Sequence, residues 1–176
     1  MKAVFFFVLI TITNFYVSAQ NAEKVKWLTV EEALKLNAEA PRNILIDVYT
    51  DWCGWCKVLD KETFDHPVIA KYINQHFYAI KFNAESTEPV NFAGRTFVNQ
   101  GNGSRRSTHQ FTAAMGVSGY PTVVYFTSNL EIIRPVPGFY KPEKMEPLLH
   151  FIAQEKYTTL TLEQFEKTFV GVLNKK

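Results

Sequence analysis

Cys53 and Cys56 are the only cysteines of the 176-residue chain, and Gly54 and Trp55 separate them. A disulfide that closes so short a loop removes little conformational entropy from the unfolded chain, so it would be a weak structural crosslink. Two thiols at this spacing can instead form and break a disulfide without movement of the backbone, as thiol–disulfide exchange requires. The spacing therefore predicts a redox-active pair.

The residues on either side of the pair predict a strand followed by a helix. Residues 44–49 are apolar and rich in β-branched side chains, which is typical of a buried central strand. No Gly or Pro occurs from 57 to 64, so a helix is predicted to begin at about Cys53. Free amides and the helix dipole there would lower the pKa of the first thiol from about 8.5 toward 7 or below. Cys53 is therefore predicted to attack, and Cys56, shielded one turn into the helix, to resolve the mixed disulfide.

The cysteine pair could also be half of a zinc site, but zinc requires about four ligands. The sequence has no second Cys-x-x-Cys pair, and its four histidines are scattered. A metal site is therefore not predicted, and disulfide exchange between thiols requires no organic cofactor. Trp52 and Trp55 could belong to the core, but tryptophans that bracket an exposed motif favour an apolar docking rim. Gly54 would keep the turn slim enough for a polypeptide substrate to approach.

Helix and strand signals alternate along the chain, which predicts an α/β fold without an internal repeat or a second domain. Further strands are predicted over 78–83, 122–126 and 131–136, with a small hairpin of 90–92 and 96–98. Helices are predicted from the Thr29 capping box to Pro41, from Pro67 with Asp65 or His66 as its cap, and over 108–115 and 142–154. A last helix is predicted from the Thr161 capping box, with Leu162, Phe165, Phe169 and Val172 facing inward.

Residues 46–57, with the sequence IDVYTDWCGWCK, resemble the strand-then-motif segment of thioredoxin and its exported relatives. The resemblance covers roughly residues 24–154. It implies a thioredoxin fold, in which helices flank a central mixed sheet, and one domain over residues 20–176. It also implies a thiol–disulfide oxidoreductase that needs no cofactor.

The resemblance also assigns roles to residues outside the cysteine motif. Asp47, six residues before the first cysteine, falls where the family has a buried carboxylate that helps to deprotonate the second thiol. Lys81 falls where the family has a strand lysine near that carboxylate. Asp47 could instead be an ordinary strand residue, although a lone buried carboxylate costs several kcal/mol unless it has a partner or a function. Tyr120 and Pro121 match the family's cis-proline turn, which lies against the sulfurs and pairs with the substrate backbone.

The sequence departs from a minimal thioredoxin at three places. Trp55 stands where cytosolic thioredoxins have proline, which leaves the reduction potential open. Residues 85–107 form an insert before the helix that precedes the cis-proline turn. Residues 156–176 form an extension that contains the extra C-terminal helix. We expect partner choice to reside in these additions.

Residues 1–19 have the pattern of a signal peptide: Lys2, an apolar run, and small residues before Gln20. The apolar run of about ten residues is too short to span a bilayer, which needs roughly 20. The chain is therefore predicted to be exported, to the periplasm or beyond, without stable membrane insertion after cleavage. Its formal net charge of +2 implies no nucleic-acid partner.

The predicted activity is disulfide exchange with protein substrates through the two cysteines, with electrons supplied or removed by an upstream redox protein. The sequence leaves open whether the protein acts as a reductant, an oxidant or an isomerase of disulfides. Two other functions are compatible with the same fold. One is a folding chaperone that hardly cycles its cysteines, which the turnover of insulin would distinguish. The other is a copper-delivery protein, which Cu(I) binding by the reduced protein would reveal.

Overall fold

The computed structural model describes residues 23–101 and 107–175; the predicted signal peptide and part of the predicted insert, residues 102–106, lie outside the described residues. The strands are β1 (Trp27–Leu28), β2 (Asn43–Tyr49), β3 (Phe77–Asn83), β4 (Val90–Phe92), β5 (Arg95–Phe97), β6 (Thr122–Phe126) and β7 (Ile132–Pro137). The helices are α1 (Val30–Glu39), α2 (Gly54–Leu59), α3 (Pro67–His76), α4 (Gln110–Ala114), α5 (Pro142–Ala153) and α6 (Leu162–Thr168). A π-helical turn (Asp60–Phe64) continues α2, and a 3-10 turn (Lys156–Thr158) follows α5.

Five strands form a mixed sheet in the order β1-β3-β2-β6-β7. The first three of these run parallel to one another, and β6 and β7 are antiparallel to their neighbours. β2 lies at the centre, and its apolar sequence suits a strand that is covered on both faces. The mixed sheet between two layers of helices confirms the predicted α/β fold.

Side chains of β2 alternate between two hydrophobic clusters, one on each face of the sheet. Ile44 and Ile46 belong to the cluster that contains residues of α1 and α4. Leu45 belongs to the other cluster, with residues of α3 and α5 and with Leu59 and Phe64 from α2 and the π-helical turn. The odd-numbered face of β2 is therefore the one that α2 covers.

Several boundaries differ from the prediction because of local hydrogen bonds and pairing. The helix predicted to begin at about Cys53 changes to π-helical geometry after Leu59. The helix predicted over 108–115 is shorter, because His109 caps it by accepting the N–H of Phe111 on Nδ1. β1 was absent from the predicted strands, since its two residues form a strand only by pairing with β3.

The predicted insert contains the expected hairpin, with its second strand one residue earlier than predicted. Ala93 and Gly94 form the two-residue turn, with φ of 49° and 75°. Positive φ at both positions matches the turn that joins two twisted strands. β4 and β5 form their own two-stranded sheet, and their buried side chains join the cluster on the α1 side.

The prediction that Val172 faces inward is wrong, because α6 ends at Thr168 and the Val172 side chain is 61% exposed. Beyond α6 the backbone wraps around the buried carboxylate of Glu146 on α5. That carboxylate accepts the N–H groups of Val172 at 2.7 Å and Leu173 at 2.9 Å. The C-terminal extension is thereby attached to α5 by its main chain. In the part of the chain that the structure describes, no helix is long and apolar enough to cross a bilayer.

Candidate active site

The two cysteines lie where β2 gives way to α2, at one end of the central strand. The N–H of Cys53 donates to the carbonyl of Thr50 at 3.1 Å, which closes the connecting turn. Cys53 is the N-cap of α2, and its Sγ accepts the N–H of Cys56 at 3.0 Å. The two residues form a disulfide, with 5.3 Å between their Cα atoms. An N–H aimed at the first sulfur stabilises a thiolate there once the disulfide is reduced.

The surface over the first turn of α2 is open. Apart from its chain neighbours and the local helix backbone, a Cβ added to Gly54 would meet no atom of the described residues within 4 Å. Both cysteines are themselves buried in this disulfide form. A partner polypeptide therefore has room above Gly54, and Cys56 is the more enclosed of the two sulfur-bearing residues.

The cis-proline turn lies at the same end of the sheet as the cysteines. The Tyr120–Pro121 peptide bond is cis, as the family resemblance implied. The next residue, Thr122, begins β6 and is paired with Val48 near the end of β2. The N–H of Gly138 donates to the Pro121 carbonyl at 2.8 Å and fixes the turn to the end of β7. Antiparallel pairing of β6 with β2 thus brings the turn to the cysteine end of the sheet.

Asp47 is completely buried in β2, on the face that α2 covers. Lys81 is its partner on β3, and the Lys81 Nζ donates to Asp47 Oδ2 at 2.5 Å. Asp47 Oδ1 has no hydrogen-bond partner among the described residues. Burial raises the pKa of Asp47 to about 6, although Lys81 opposes the rise. A carboxyl group with this pKa can exchange a proton near neutral pH.

The sequence of residues 30–153 matches the thioredoxin-like domain family, over more than two thirds of the chain. The chain belongs to this family. An uncharacterised protein of Caenorhabditis elegans is 28% identical over 123 residues, which is 69% of this chain and 15% of that protein. The thiol:disulfide interchange protein DsbD of Pectobacterium atrosepticum is 26% identical over 111 residues, 62% of this chain and 16% of DsbD. The chain thus spans less than a fifth of the length of either relative.

A solved structure of a thioredoxin-fold protein from Helicobacter pylori superposes on this thioredoxin-like domain with a TM-score of 0.55. The two are 18% identical, and the match covers 72% of this chain and 83% of the other. At that identity the likeness shows the fold alone. The predicted thioredoxin fold is confirmed by this likeness and by the family match.

Asp60 is a residue of the thioredoxin-like site that sequence reasoning missed. The Lys81 Nζ donates to Asp60 Oδ1 as well as to Asp47, so one ammonium joins two carboxylates. Burial by itself would lower the pKa of Lys81, but the two carboxylates raise it above its usual value. Asp60 lies four residues after Cys56, a helical spacing that places both on one face and that could have revealed it.

The two tryptophans of the motif are exposed and do not belong to the core, with 48% of Trp52 and 62% of Trp55 accessible. Each pairs with an aromatic ring from a distant segment. Trp52 lies edge-on to Tyr120, with 6.0 Å between ring centroids. Trp55 lies 5.7 Å from Phe139, which the sequence did not single out. The cysteine motif of this thioredoxin-like domain is therefore flanked by two aromatic pairs, each of an exposed tryptophan and a half-buried ring.

Trp52 is attached to the predicted insert through Glu85, another residue that sequence reasoning missed. Its indole N–H donates to Glu85 Oε1 at 2.9 Å. Glu85 is the first residue of the insert, and its carbonyl accepts from Asn99 Nδ2 at 3.3 Å. The same Asn99 amide donates to Ser86 at 3.0 Å, so it ties the two ends of the hairpin segment together. The insert thereby supports one side of the aromatic pair at Trp52.

Among residues 23–101 and 107–175, no group of three or more His, Cys, Asp and Glu side chains is arranged to hold a metal ion. The redox-capable group in the described part is the Cys53–Cys56 disulfide, and β2, the strand that leads into the motif, carries the buried Asp47 with its raised pKa.

Proposed function

We propose that this chain is a thiol–disulfide oxidoreductase that exchanges disulfides with protein substrates through Cys53 and Cys56. The observation that carries the proposal is the position of Cys53 as the N-cap of α2, in a disulfide with Cys56 and with a backbone N–H aimed at its sulfur. The match to the thiol:disulfide interchange protein DsbD supports it.

In the reducing direction, the Cys53 thiolate attacks a substrate disulfide. The substrate S–S bond breaks, a Cys53–substrate disulfide forms, and one substrate sulfur leaves as a thiolate. Cys56 then attacks Cys53, which forms the intramolecular disulfide and releases the second substrate sulfur. Two electrons pass to the substrate, and the proton of the Cys56 thiol passes to Asp47. An upstream dithiol protein restores the reduced pair, and the reverse sequence oxidises a substrate dithiol.

The two aromatic pairs, with their exposed tryptophans, are the proposed docking surface for the substrate. Trp52 and Trp55 offer apolar area on either side of the motif, and Gly54 leaves space between them. Tyr120 and Pro121 lie at the same end of the sheet, where their main chain is proposed to pair with an extended substrate segment. Lys81 acts with Asp47, and not by contact with the substrate.

The decisive test is multiple-turnover reduction of insulin by dithiothreitol, with and without the purified protein. We expect catalysis that disappears when both cysteines are alkylated beforehand. Titration against glutathione then gives the reduction potential of the cysteine pair, which shows the direction of electron transfer. A potential of about −270 mV is typical of a reductant, and one of about −120 mV is typical of an oxidant. No turnover above the alkylated control would contradict the proposal and favour a chaperone that does not cycle its cysteines.

We also propose that the protein works after export, with cleavage of the signal peptide after Ala19. The short basic start, the apolar run and the small residues Val17, Ser18 and Ala19 support this. Intact-mass spectrometry of the protein from the cell envelope should give a chain that begins at Gln20. A chain that still carries Met1 in that fraction would contradict it.

A further inference from the structure

Three aromatic rings surround the ammonium group of Lys81. The Lys81 Nζ lies 4.9 Å from the ring centroid of Trp27, 5.1 Å from that of Tyr49 and 5.7 Å from that of Phe64. All three distances fall within the roughly 6 Å over which a ring face attracts a cation. We call these three rings the lysine cage.

The lysine cage is assembled from three elements that are distant in sequence. Trp27 comes from β1, which forms through pairing with β3 and places Trp27 beside Ala79. Tyr49 is the last residue of β2, and Phe64 is the last residue of the π-helical turn. Trp27 and Phe64 pack edge to face, with centroids 5.0 Å apart. The short β1 strand thus supplies one wall of the cage.

The cage attracts Lys81 in a different way from the two carboxylates. Asp47 holds Lys81 through opposite charge, and this attraction weakens when Asp47 takes up a proton. Ring faces attract a cation whatever the protonation state of a neighbouring acid. Asp60 is partly exposed, so water screens its attraction for Lys81 more than it screens that of Asp47. The cage is therefore the contact of Lys81 that changes least during a proton transfer at Asp47.

We propose that Trp27 is a positioning residue, which holds the Lys81 ammonium between Asp47 and Asp60 while Asp47 gains and loses its proton. This inference rests on the proposed function, in which Asp47 exchanges a proton with Cys56. A lysine held in place returns Asp47 to its charged form after each cycle. A lysine free to turn toward solvent would leave the buried carboxylate without its stabilising charge.

The charged and titratable groups around Asp47 determine whether its pKa rises or falls when Lys81 is no longer held in place. The titratable groups that act on it or respond to it are Lys81 on β3, Asp60 on the π-helical turn, Tyr49 on β2 and Tyr125 on β6. Of these, only Lys81 carries a positive charge and favours the carboxylate form. Loss of its fixed position should therefore raise the pKa of Asp47.

A double-mutant cycle tests this role in the full chain, in its disulfide form. The measurement is the titration of the Asp47 carboxyl carbon by NMR. Trp27→Leu should raise the Asp47 midpoint by about half a pH unit or more, whereas Trp27→Phe, which keeps a ring face, should leave it nearly unchanged. In a Lys81→Met background, Trp27→Leu should cause no further shift, because Trp27 acts through Lys81.

Two results would overturn the inference. One is an unchanged Asp47 midpoint in Trp27→Leu, and the other is an equal shift with and without Lys81, which would indicate a general disturbance of the fold. Tyr49→Leu removes a second ring of the cage and provides the same test if Trp27→Leu does not fold. The titration requires no turnover, so a Lys81-dependent shift in a protein that fails to reduce insulin would contradict the proposed function and leave the positioning role intact.

Discussion

Cys56→Ser is expected to accumulate mixed disulfides with substrate proteins, and Cys53→Ser is expected to accumulate few. In Cys56→Ser the attacking thiol remains at the N-cap of α2, but the residue that would release the substrate has lost its sulfur. In Cys53→Ser the remaining thiol lies one turn inside the helix and is buried. We expect roughly tenfold more trapped product from Cys56→Ser, because its thiol lies under the open surface over Gly54 and keeps its thiolate character.

The comparison uses reduced protein mixed with oxidised insulin, quenched with acid and resolved on a non-reducing gel. The double variant Cys53→Ser/Cys56→Ser provides the blank. Both single variants should lose multiple turnover down to the uncatalysed rate, since each lacks one of the two exchange steps. Equal trapping by the two single variants, or more from Cys53→Ser, would reverse the assignment of attacking and resolving cysteines.

Local signals in the sequence were enough to predict most helices and strands. The capping boxes at Thr29 and Thr161 form as predicted, each with reciprocal hydrogen bonds between a side chain and the backbone. Of the two possible caps for α3, the structure selects His66, whose Nδ1 accepts the N–H of Val68. Such features depend on residues within one turn of each other, so a single sequence contains the information.

Features that depend on contacts between residues distant in sequence could not be predicted from the sequence. β1 exists through its register with β3, and Trp27 reaches Lys81 for that reason alone. Similarly, Glu146 gives no sign in the sequence that it accepts backbone N–H groups from Leu173 and its neighbours. The carboxylate is polar within an otherwise apolar helix face, and its partners lie on a segment that no local rule places beside it.

The residues of the candidate site also divide into those that could be predicted from the sequence and those that only the structure shows. Cys53 and Cys56 could be predicted from spacing alone, whereas the roles proposed for Asp47 and Lys81 came from the family resemblance. The helical spacing from Cys56 places Asp60 on the same helix face, but it does not show that Lys81 of β3 contacts Asp60, which the structure does. Family resemblance therefore supplies the shared part of a site, and coordinates are needed for the residues that are particular to this chain.

Asp47→Asn is expected to stabilise the fold at neutral pH and to lose that advantage in acid. The raised pKa of about 6 means that the folded state holds the proton of Asp47 more tightly than the unfolded chain, whose value is near 3.8. Below about pH 4 the carboxyl is protonated in both the folded and the unfolded state, so the folded wild type buries no charge at Asp47. As pH rises from 4 to 6, the folded wild type must bury a charge and loses stability. Above pH 6 the variant should be more stable by about 3 kcal/mol, or roughly 6 to 12 °C in Tm.

The same substitution should slow the second step of the exchange reaction, since an amide cannot accept the Cys56 proton. We expect resolution of a preformed mixed disulfide to slow about 100-fold near pH 7, a size typical of a lost general base. The deficit should shrink toward pH 9, where solvent deprotonates the thiol. Stopped-flow fluorescence of Trp52 and Trp55 can follow this step.

Asp51→Asn is the matched control for Asp47→Asn, because it removes an exposed carboxylate close to the same motif. It should change neither the resolution rate nor the pH dependence of unfolding beyond a small surface effect.

The two readouts of Asp47→Asn, the stability and the resolution rate, also separate two roles of the carboxylate. A variant that is stabilised above pH 6 but resolves mixed disulfides at the wild-type rate would show that Asp47 is buried at a cost without serving Cys56. A variant that is slowed at pH 7 and recovers at pH 9 would place the proton of Cys56 on Asp47.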